Sequence, residues 1–157
     1  LYDEGVLRAV GVSNFLPHHL LNLFASANIR PMVNEIEFHP GYTQPYVTEF
    51  CRKNGIVLEG WSPIGRGRLL RLPLLREMGA RYGKSPAQLC IRFALQSGVL
   101  PLPKSSSRAR MLENLDVFDF TLSEEDFSRL ATLPQAGWSG KHPDFERWAP
   151  ELEAENR

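Results

Sequence analysis

The stretch Leu102-Pro-Lys-Ser-Ser-Ser-Arg-Ala-Arg-Met-Leu-Glu-Asn114 marks the point where a short apolar strand gives way to a helix. The strand is predicted over residues 99–103, so Lys104 lies at its carboxyl end. Residues 105–107 then supply hydroxyl groups and backbone N–H groups at the start of the helix. A strand that ends in a cation and leads into such a helix start predicts a binding site for a phosphate group.

The helix that follows adds a second cation and an amide. Arg110 and Asn114 are four residues apart, so they project from one face of that helix. Together with Lys104 and the serine hydroxyls, they predict a compact site for a dianion, with an amide that can bind the edge of a base. The alternative is a capped, solvated helix start, which would be favoured for an isolated Lys-Ser pair. The rest of the chain favours the binding site.

Length and composition limit the class of protein. A chain of 157 residues with 43% hydrophobic content can form one globular core but not two large domains. The formal net charge is zero, which gives no electrostatic reason to expect nucleic acid or an anionic membrane as a partner. No apolar run approaches the roughly 18 residues that span a bilayer. The whole chain is therefore predicted to form a single domain, with an irregular tail over residues 134–157.

The cysteines and the basic residues carry little functional signal. Cys51 and Cys90 lie far apart and have no nearby partner in a metal-binding spacing, so neither a disulfide framework nor a metal site is predicted. This pattern favours a cytoplasmic location. Arg66, Arg68 and Arg71 form a short basic run that is interpreted mainly as a solvated loop.

One structural unit repeats along the chain. Apolar runs predict strands, helical periodicity follows each of them, and turn residues separate the two. The predicted strands cover residues 7–12, 32–38, 56–61 and 99–103, and the predicted helices cover 17–27, 44–54, 73–82, 86–97, the segment holding Arg110 and Asn114, and 124–133. Thr43 and Ser85 are predicted helix caps, and Ser123 with Asp126 resembles a capping box. Strands that alternate with helices indicate a parallel α/β sheet.

Polar residues fall where the predicted strands end. They are Ser13 and Asn14 after the first strand, Asn34, Glu35 and His39 in and after the second, residues 62–67 after the third, and residues 104–107 after the fourth. The carboxyl ends of the strands are the face where a βα barrel builds its site. No Gly-x-Gly-x-x-Gly follows any strand, so a Rossmann domain is not predicted.

Four short motifs resemble those of the aldo-keto reductases, in the same order and at compatible spacings. They are Gly11-Val-Ser-Asn-Phe15, Asn34-Glu-Ile-Glu-Phe-His-Pro40, Trp61-Ser-Pro-Ile-Gly65 and Leu102-Pro-Lys-Ser105, the last followed by Arg110, Glu113 and Asn114. The resemblance implies a (β/α)8 TIM barrel that binds NADPH without a Rossmann domain. It further implies that the four βα units form about the second half of that barrel. The strands that carry the family's Asp, Tyr, Lys and His tetrad would precede Leu1, so no catalytic residue is predicted in this chain.

The resemblance assigns the nicotinamide end of the cofactor to residues near the first three strands. Ser13 and Asn14 match the family's contacts to the carboxamide. Glu35 stands where the family has Gln, which is a departure because an ionised carboxylate cannot donate a hydrogen bond. Trp61 matches an aromatic residue that stacks on the nicotinamide ring, although a core aromatic at a strand end is an equally simple interpretation.

The remaining matched positions are assigned to the other parts of the cofactor. They are Ser62, Ile64, Gly65 and Arg66 for the loop over the pyrophosphate, Lys104, Ser105, Ser106 and Arg110 for the 2′-phosphate, and Glu113 and Asn114 for the adenine. A site for NAD usually presents a carboxylate to the ribose 2′-hydroxyl, whereas a 2′-phosphate needs cations. The two cations therefore favour NADP over NAD.

Other histidines and aromatic residues are given structural interpretations. His39 and Tyr42 could in principle protonate a carbonyl, but a structural His39 is favoured because no buried Lys accompanies Tyr42. His18 and His19 are predicted to be solvated at a helix start. In the tail, Trp138, Phe145 and Trp148 are predicted either to line one side of the substrate opening or to cover the bottom of the core.

The sequence as a whole predicts the cofactor-binding half of an NADPH-dependent reductase of aldehydes, ketones or small keto acids. The alternative is a non-catalytic NADPH-binding or interaction module of the same fold. The expected partner is a small carbonyl substrate, with no nucleic acid and no membrane. Four strands without the rest of a barrel are also expected to self-associate through exposed edges and an apolar inner face. The residues predicted on that face are Val10, Val12, Val33, Ile36, Val57 and Leu100.

Overall fold

The computed structural model describes residues 1–145, which form a four-stranded parallel sheet in the order β1-β2-β3-β4. The strands are β1 (Gly11–Ser13), β2 (Val33–Glu37), β3 (Val57–Trp61) and β4 (Val99–Leu102). The helices are α1 (Pro17–Phe24), α2 (Pro45–Lys53), α3 (Pro73–Tyr82), α4 (Pro86–Gln96), α5 (Arg108–Leu115) and α6 (Glu124–Ala131), with 3-10 turns at Gly65–Gly67 and Leu69–Arg71. The prediction of alternating strands and helices around a parallel sheet is confirmed.

The largest error in the element boundaries is in β1, which was predicted over residues 7–12. A strand needs a neighbour to pair with, and β1 pairs with β2 only from the register pair Gly11 and Val33 onward. Before that point, the single ladder contact is the bond from the Met32 amide to the Val10 carbonyl. Leu7 is 43% exposed and lies outside the sheet.

The hydrophobic core lies between the sheet and the helices. Ile36 and Leu58 project from the sheet into this core, where they pack with residues such as Leu89 and Phe93 of α4. Side chains alternate between the two faces of a strand, so the neighbours of these residues lie on the other face. That second face, here called the open face, carries Val33, Glu35, Val57, Glu59 and Leu100.

The predicted composition of the open face was therefore partly wrong. Val57 and Leu100 are about half exposed, at 47% and 50%, as expected. Ile36 is buried on the helix side, and Val12 packs against the same core. The error is one of alternation, because Val33 and Ile36 are three positions apart in β2 and therefore lie on opposite faces of the sheet.

Self-association of the chain through the open face stays a prediction. Within residues 1–145, β1 pairs only with β2 and β4 pairs only with β3, so both edge strands have an unpaired side. Unpaired edges beside exposed Val57 and Leu100 favour association. Gel filtration of the chain is expected to show a species larger than a monomer. A monomer that does not change with protein concentration would contradict this prediction.

The helix caps match the sequence prediction at α4 and differ from it at α2, α5 and α6. The Ser85 hydroxyl accepts a bond from the Gln88 amide, and the Gln88 side chain accepts one from the Ser85 amide, which completes a capping box at α4. At α2 the cap is Gln44 in a left-handed conformation rather than Thr43. At α5, Ser107 is the cap residue, but its side chain makes no capping bond.

The third difference concerns the predicted capping box of Ser123 and Asp126. The Ser123 hydroxyl accepts the Asp126 amide as expected, but the Asp126 carboxylate does not reach back to Ser123. It accepts bonds from Arg81 and from the Tyr82 hydroxyl instead, at 2.6 and 2.7 Å. The Ser123 amide donates to the same Tyr82 oxygen. The α6 cap is thereby tied to α3.

Both cysteines are buried and free. Burial raises the pKa of the Cys90 thiol to about 12, so it stays protonated at neutral pH. Within residues 1–145, no helix has the length and apolar character needed to cross a membrane.

Candidate active site

Most of the residues predicted to hold the cofactor line one groove at the carboxyl ends of β3 and β4. The groove has a volume of about 640 Å³. The predicted residues that line it are Ser62, Ile64, Arg66, Lys104, Ser105, Ser106, Arg110, Glu113 and Asn114. Residues separated by about 50 positions in the sequence are thus brought together at one edge of the sheet.

The groove also includes residues that the sequence analysis did not assign to the cofactor. They are Pro63, Gly67, Leu70, Ala87 and Leu102. Pro63 and Gly67 belong to the loop after β3, where the sequence carried a recognisable signal. Ala87 comes from the start of α4, and no local pattern indicates that a small residue there faces a cavity.

The cationic end of the groove is open to solvent. Lys104 and Arg110 are both exposed, and within residues 1–145 neither forms an ion pair. The Ser105 hydroxyl accepts the Ser107 amide at 3.1 Å, which orders the turn into α5. Ser106 is exposed beside it. Two cations without an anionic partner, next to serine hydroxyls and a helix start, can bind a dianion.

The loop after β3 has an unusually constrained backbone. Ser62 and Arg66 have positive φ values of 51° and 53°, which residues other than glycine rarely adopt. Gly65 is also left-handed, and a Cβ atom there would lie 2.8 Å from Leu69 Cγ. The Arg66 guanidinium sits 5.7 Å from the centre of the Trp61 ring. The loop after β3 therefore forms a tight turn between the groove and Trp61.

The sequence interpretation placed the basic run in a solvated loop, but two of its side chains make contacts within the protein. Arg66 contacts Trp61, and Arg68 donates a 2.7 Å hydrogen bond to the Gly137 carbonyl. This bond ties the loop to the segment after α6, while Arg71 is exposed.

The residues assigned to the nicotinamide end lie together at the ends of β1, β2 and β3. The Trp61 indole N–H donates to Asn14 Oδ1 at 2.9 Å. The Asn14 amide in turn donates to Ser13 Oγ at 3.3 Å, and Ser13 Oγ donates to the Glu35 backbone carbonyl at 3.3 Å. Asn14 has a positive φ of 58°. Ser13, Asn14, Glu35 and Trp61, and also Gly65, lie outside the lining of the groove. The side chains of Ser13, Asn14 and Trp61 form one hydrogen-bonded chain that ends at the Glu35 backbone carbonyl.

Glu35 lies on the open face between two polar neighbours. It is the register partner of Ser13 on β1 and of Glu59 on β3. Two carboxylates on neighbouring strands of the same face repel each other when both are ionised. The sequence singled out Glu35 as a departure from the family pattern, but it missed the neighbouring Glu59.

His39 is structural rather than positioned for proton transfer to a substrate. It is fully buried, its Nδ1 donates to the Pro40 carbonyl at 2.9 Å, and its Nε2 lies 3.3 Å from Glu37 Oε1. The buried Glu37 carboxylate also accepts the Ser139 amide at 2.9 Å and the Ser139 hydroxyl at 2.7 Å. This network anchors the segment after α6 to the end of β2.

Tyr42 is held beside this network. Desolvation by burial, together with the nearby Glu37 charge, raises the pKa of its hydroxyl, which therefore stays protonated at neutral pH. Its ring stacks on Trp138 with centroids 5.7 Å apart. Trp138 thus packs against the end of β2. Phe145 is exposed and contacts His142, while Trp148 lies outside the described residues.

Ser139→Ala is expected to destabilise the fold by about 1–2 kcal/mol, because it removes a hydrogen bond to a buried carboxylate. Urea unfolding followed by circular dichroism measures the change. Ser106→Ala is the matched control, since that side chain is exposed, and it is expected to change stability by less than about 0.5 kcal/mol. Equal stability of the two variants would contradict the proposed role of the Ser139 bond.

His18 and His19 were predicted to be solvated at the start of a helix, but both contact another side chain. Their Nε2 atoms lie 3.1 and 3.0 Å from Asp144 Oδ1 in the segment after α6. The His19 Nδ1 atom accepts the Leu16 amide at 3.1 Å and so also closes the start of the helix. No local sequence pattern indicates these contacts, because His18 and Asp144 are 126 residues apart.

The fold and the groove together define a class of protein. A parallel sheet flanked by helices, with a cationic groove at the carboxyl ends of its strands, is the arrangement of βα-barrel proteins. The sequence model of the Aldo/keto reductase family matches residues 1–134. The chain belongs to the aldo/keto reductase family, and its fold is that of the family's (β/α)8 barrel, of which four βα units are present.

Individual relatives agree with this assignment. The glyoxal reductase of Bacillus subtilis is 45% identical over 144 residues, which cover 92% of this chain and 52% of that protein. The crystal structure of Gox0644 in its apo form is similar with a TM-score of 0.86 at 36% identity, covering 91% of this chain and 53% of that chain. The chain spans about half the length of the curated relatives it matches.

A further similar structure has a bound cofactor. It is an aldo-keto reductase of Bombyx mori in complex with NADP, with a TM-score of 0.78 at 31% identity, covering 85% of this chain and 47% of that chain. The relatives named as glyoxal reductase and prostaglandin H2 reductase are oxidoreductases.

Proposed function

We propose that this chain binds NADP(H) along the groove and forms the cofactor-binding half of a barrel that reduces a carbonyl compound. The observation that carries the proposal is the convergence of Lys104, Arg110, the serine hydroxyls and the Gly-Arg loop on one groove of about 640 Å³. A volume of this size suits a nucleotide, and Trp61 directly precedes Ser62, which lines the groove.

The residues present fit the chemistry of NADP. A 2′-phosphate is a dianion that needs charged donors, and Lys104, Arg110 and Ser105 supply them at one end of the groove. A pyrophosphate needs close backbone approach, which the glycine-rich turn at Gly65–Gly67 allows, and Arg66 adds a positive charge there. Glu113 and Asn114 offer an acceptor and an amide for the adenine edge.

Outside the groove, at the ends of β1, β2 and β3, the residues near Trp61 are suited to orienting a nicotinamide. Ser13 offers a hydroxyl and Asn14 an amide, which match the donor and acceptor of a carboxamide group. Asn14 Oδ1 accepts the Trp61 indole N–H and has a second lone pair for the carboxamide, and the Trp61 ring beside it is the expected stacking surface for the nicotinamide. When bound, NADPH supplies the hydride. These side chains would fix which face of the ring is presented and exclude water from it.

The substrate class is inferred from chemistry and from the relatives. Hydride transfer from a nicotinamide suits an aldehyde, a ketone or a small keto acid, and the relative from Bacillus subtilis is named a glyoxal reductase. We therefore expect a small carbonyl compound as the substrate of the complete barrel.

Isothermal titration of the chain with NADPH and with NADH tests the cofactor proposal. NADPH is expected to bind more tightly, because the extra phosphate meets two cations. Titration with 2′,5′-ADP and with 5′-AMP isolates the phosphate end, since neither fragment carries a nicotinamide. Tighter binding of 2′,5′-ADP is expected. Equal binding of NADPH and NADH, or of the two fragments, would contradict the proposal.

Glu35→Gln is expected to preserve or tighten NADPH binding. Glutamine can both donate to and accept from a carboxamide, and the change also removes the repulsion between Glu35 and its register partner Glu59. Titration of the variant with NADPH provides the measurement. Glu59→Gln is the matched control, because it relieves the same repulsion without changing the predicted contact. A large loss of affinity in Glu35→Gln alone would show that the charge has another role.

A further inference from the structure

We infer that His18, His19 and Asp144 form a site for a divalent transition metal such as Zn²⁺, separate from the cofactor groove. The side chains of His18 and His19 converge in an unusual way. His18 and His19 are consecutive residues in the first turn of α1, where neighbouring side chains normally diverge by about 100°. Both nevertheless direct Nε2 to the same oxygen, Asp144 Oδ1, at 3.1 and 3.0 Å.

The spacing of the three ligand atoms suits a tetrahedral cation. All three atoms lie within 4.8 Å of one another. Ligand atoms at about 2.0–2.2 Å from a tetrahedral Zn²⁺ lie roughly 3.3–3.6 Å apart, so shifts of a fraction of an ångström to about 1.5 Å complete the geometry. Two imidazoles and one carboxylate are a donor set that Zn²⁺ and related metals prefer over Mg²⁺ or Ca²⁺. The fourth position is left to water.

The site is accessible and its ligands are held by neighbours. The side chains of His18, His19 and Asp144 are 57%, 31% and 32% exposed, so a hydrated ion can reach them. The Phe15 ring packs edge-on against the His19 ring with centroids 5.6 Å apart and limits its rotation. A bound ion would fasten the start of α1 to the segment after α6.

Metal binding and the helix cap require different tautomers of the His19 ring. The His19 Nδ1 atom accepts the Leu16 amide, so in the metal-free chain the ring proton lies on Nε2 and faces Asp144. To bind a metal through Nε2, the proton must move to Nδ1, and the bond from the Leu16 amide is lost. Without a metal, the three side chains therefore form a hydrogen-bonded cluster. A cation can take the place of these hydrogen bonds, and the bond from the Leu16 amide to His19 Nδ1 is then lost.

The experiment titrates the full chain with Zn²⁺ in a calorimeter and, separately, records the visible absorption of added Co²⁺. One Zn²⁺ per chain is expected, together with a Co²⁺ spectrum typical of tetrahedral coordination, while Mg²⁺ gives no binding heat. His18→Gln and Asp144→Asn should each weaken Zn²⁺ binding by more than about 100-fold, since loss of a ligand exceeds the effect of losing an outer hydrogen bond. Circular dichroism checks that both variants keep the fold.

Glu125→Gln is the matched control for Asp144→Asn, because Glu125 is an exposed acid in the first turn of α6 and lies outside the set of three. It is expected to change Zn²⁺ affinity by less than about threefold. Three results would overturn the inference: no Zn²⁺ binding by the unaltered chain, unchanged binding in His18→Gln and Asp144→Asn, or an equal loss in Glu125→Gln. None of them depends on whether the groove binds NADPH.

Discussion

Replacing Lys104 and Arg110 together with methionine is expected to weaken NADPH binding by about 3–6 kcal/mol, at least roughly 100-fold, and to leave NADH binding nearly unchanged. Each charge-assisted contact to a phosphate is worth about 1.5–3 kcal/mol. Both side chains are exposed in the free chain, so the lower half of that range is the better expectation. Methionine keeps most of the apolar length of each side chain and removes only the charge.

Calorimetric titration with each cofactor measures this difference. Arg108→Met is the matched control, because Arg108 is an exposed cation in the first turn of α5 that does not line the groove. It should leave the ratio of NADPH to NADH affinity within about threefold of the original value. If the double variant lost affinity for both cofactors equally, the assignment of the 2′-phosphate to this end of the groove would be wrong.

The sequence could predict those parts of the fold that depend on local pattern. The four strands and the helices after them follow from apolar periodicity and from turn residues, and Ser85 and Pro86 locate the start of α4 within one residue. The groove could be anticipated for a related reason. In a parallel sheet the carboxyl ends of all strands meet at one edge, so polar residues after separate strands come together without any knowledge of tertiary contacts.

Features that depend on contacts between distant elements could not be predicted. Alternation along β2 puts Val33 and Ile36 on opposite faces, but only the helices that cover one face decide that Ile36 is the buried one. The bond between Glu37 and Ser139 joins residues that are 102 positions apart. The predicted capping role of Asp126 failed for a related reason, because α3 supplies two stronger donors than the Ser123 amide.

Asp126→Ala is expected to destabilise the chain by about 2–3 kcal/mol at neutral pH. The side chain is 4% exposed and accepts bonds from Arg81 and Tyr82, so its removal leaves the Tyr82 hydroxyl without its acceptor. The full cost of breaking a buried ion pair is not expected, since Arg81 is 54% exposed and regains water. Glu125→Ala is the matched control, because Glu125 is an exposed acid in the same first turn of α6.

The pH dependence of this loss has a definite sign. Burial of Asp126 opposes its ionisation, but the bonds from Tyr82 and Arg81 outweigh that effect and hold the pKa of the carboxyl below its usual value. A lowered pKa in the folded state contributes stability at pH values above the unfolded pKa of about 3.9, and this contribution is lost as the pH falls through the folded value. The stability difference between the original chain and Asp126→Ala should therefore be largest near pH 7 and shrink below about pH 4. Urea unfolding at neutral pH and at acid pH measures it. A difference that stayed constant between the two conditions, or that matched Glu125→Ala at pH 7, would show that Asp126 does not act as an ionised acceptor between α3 and α6.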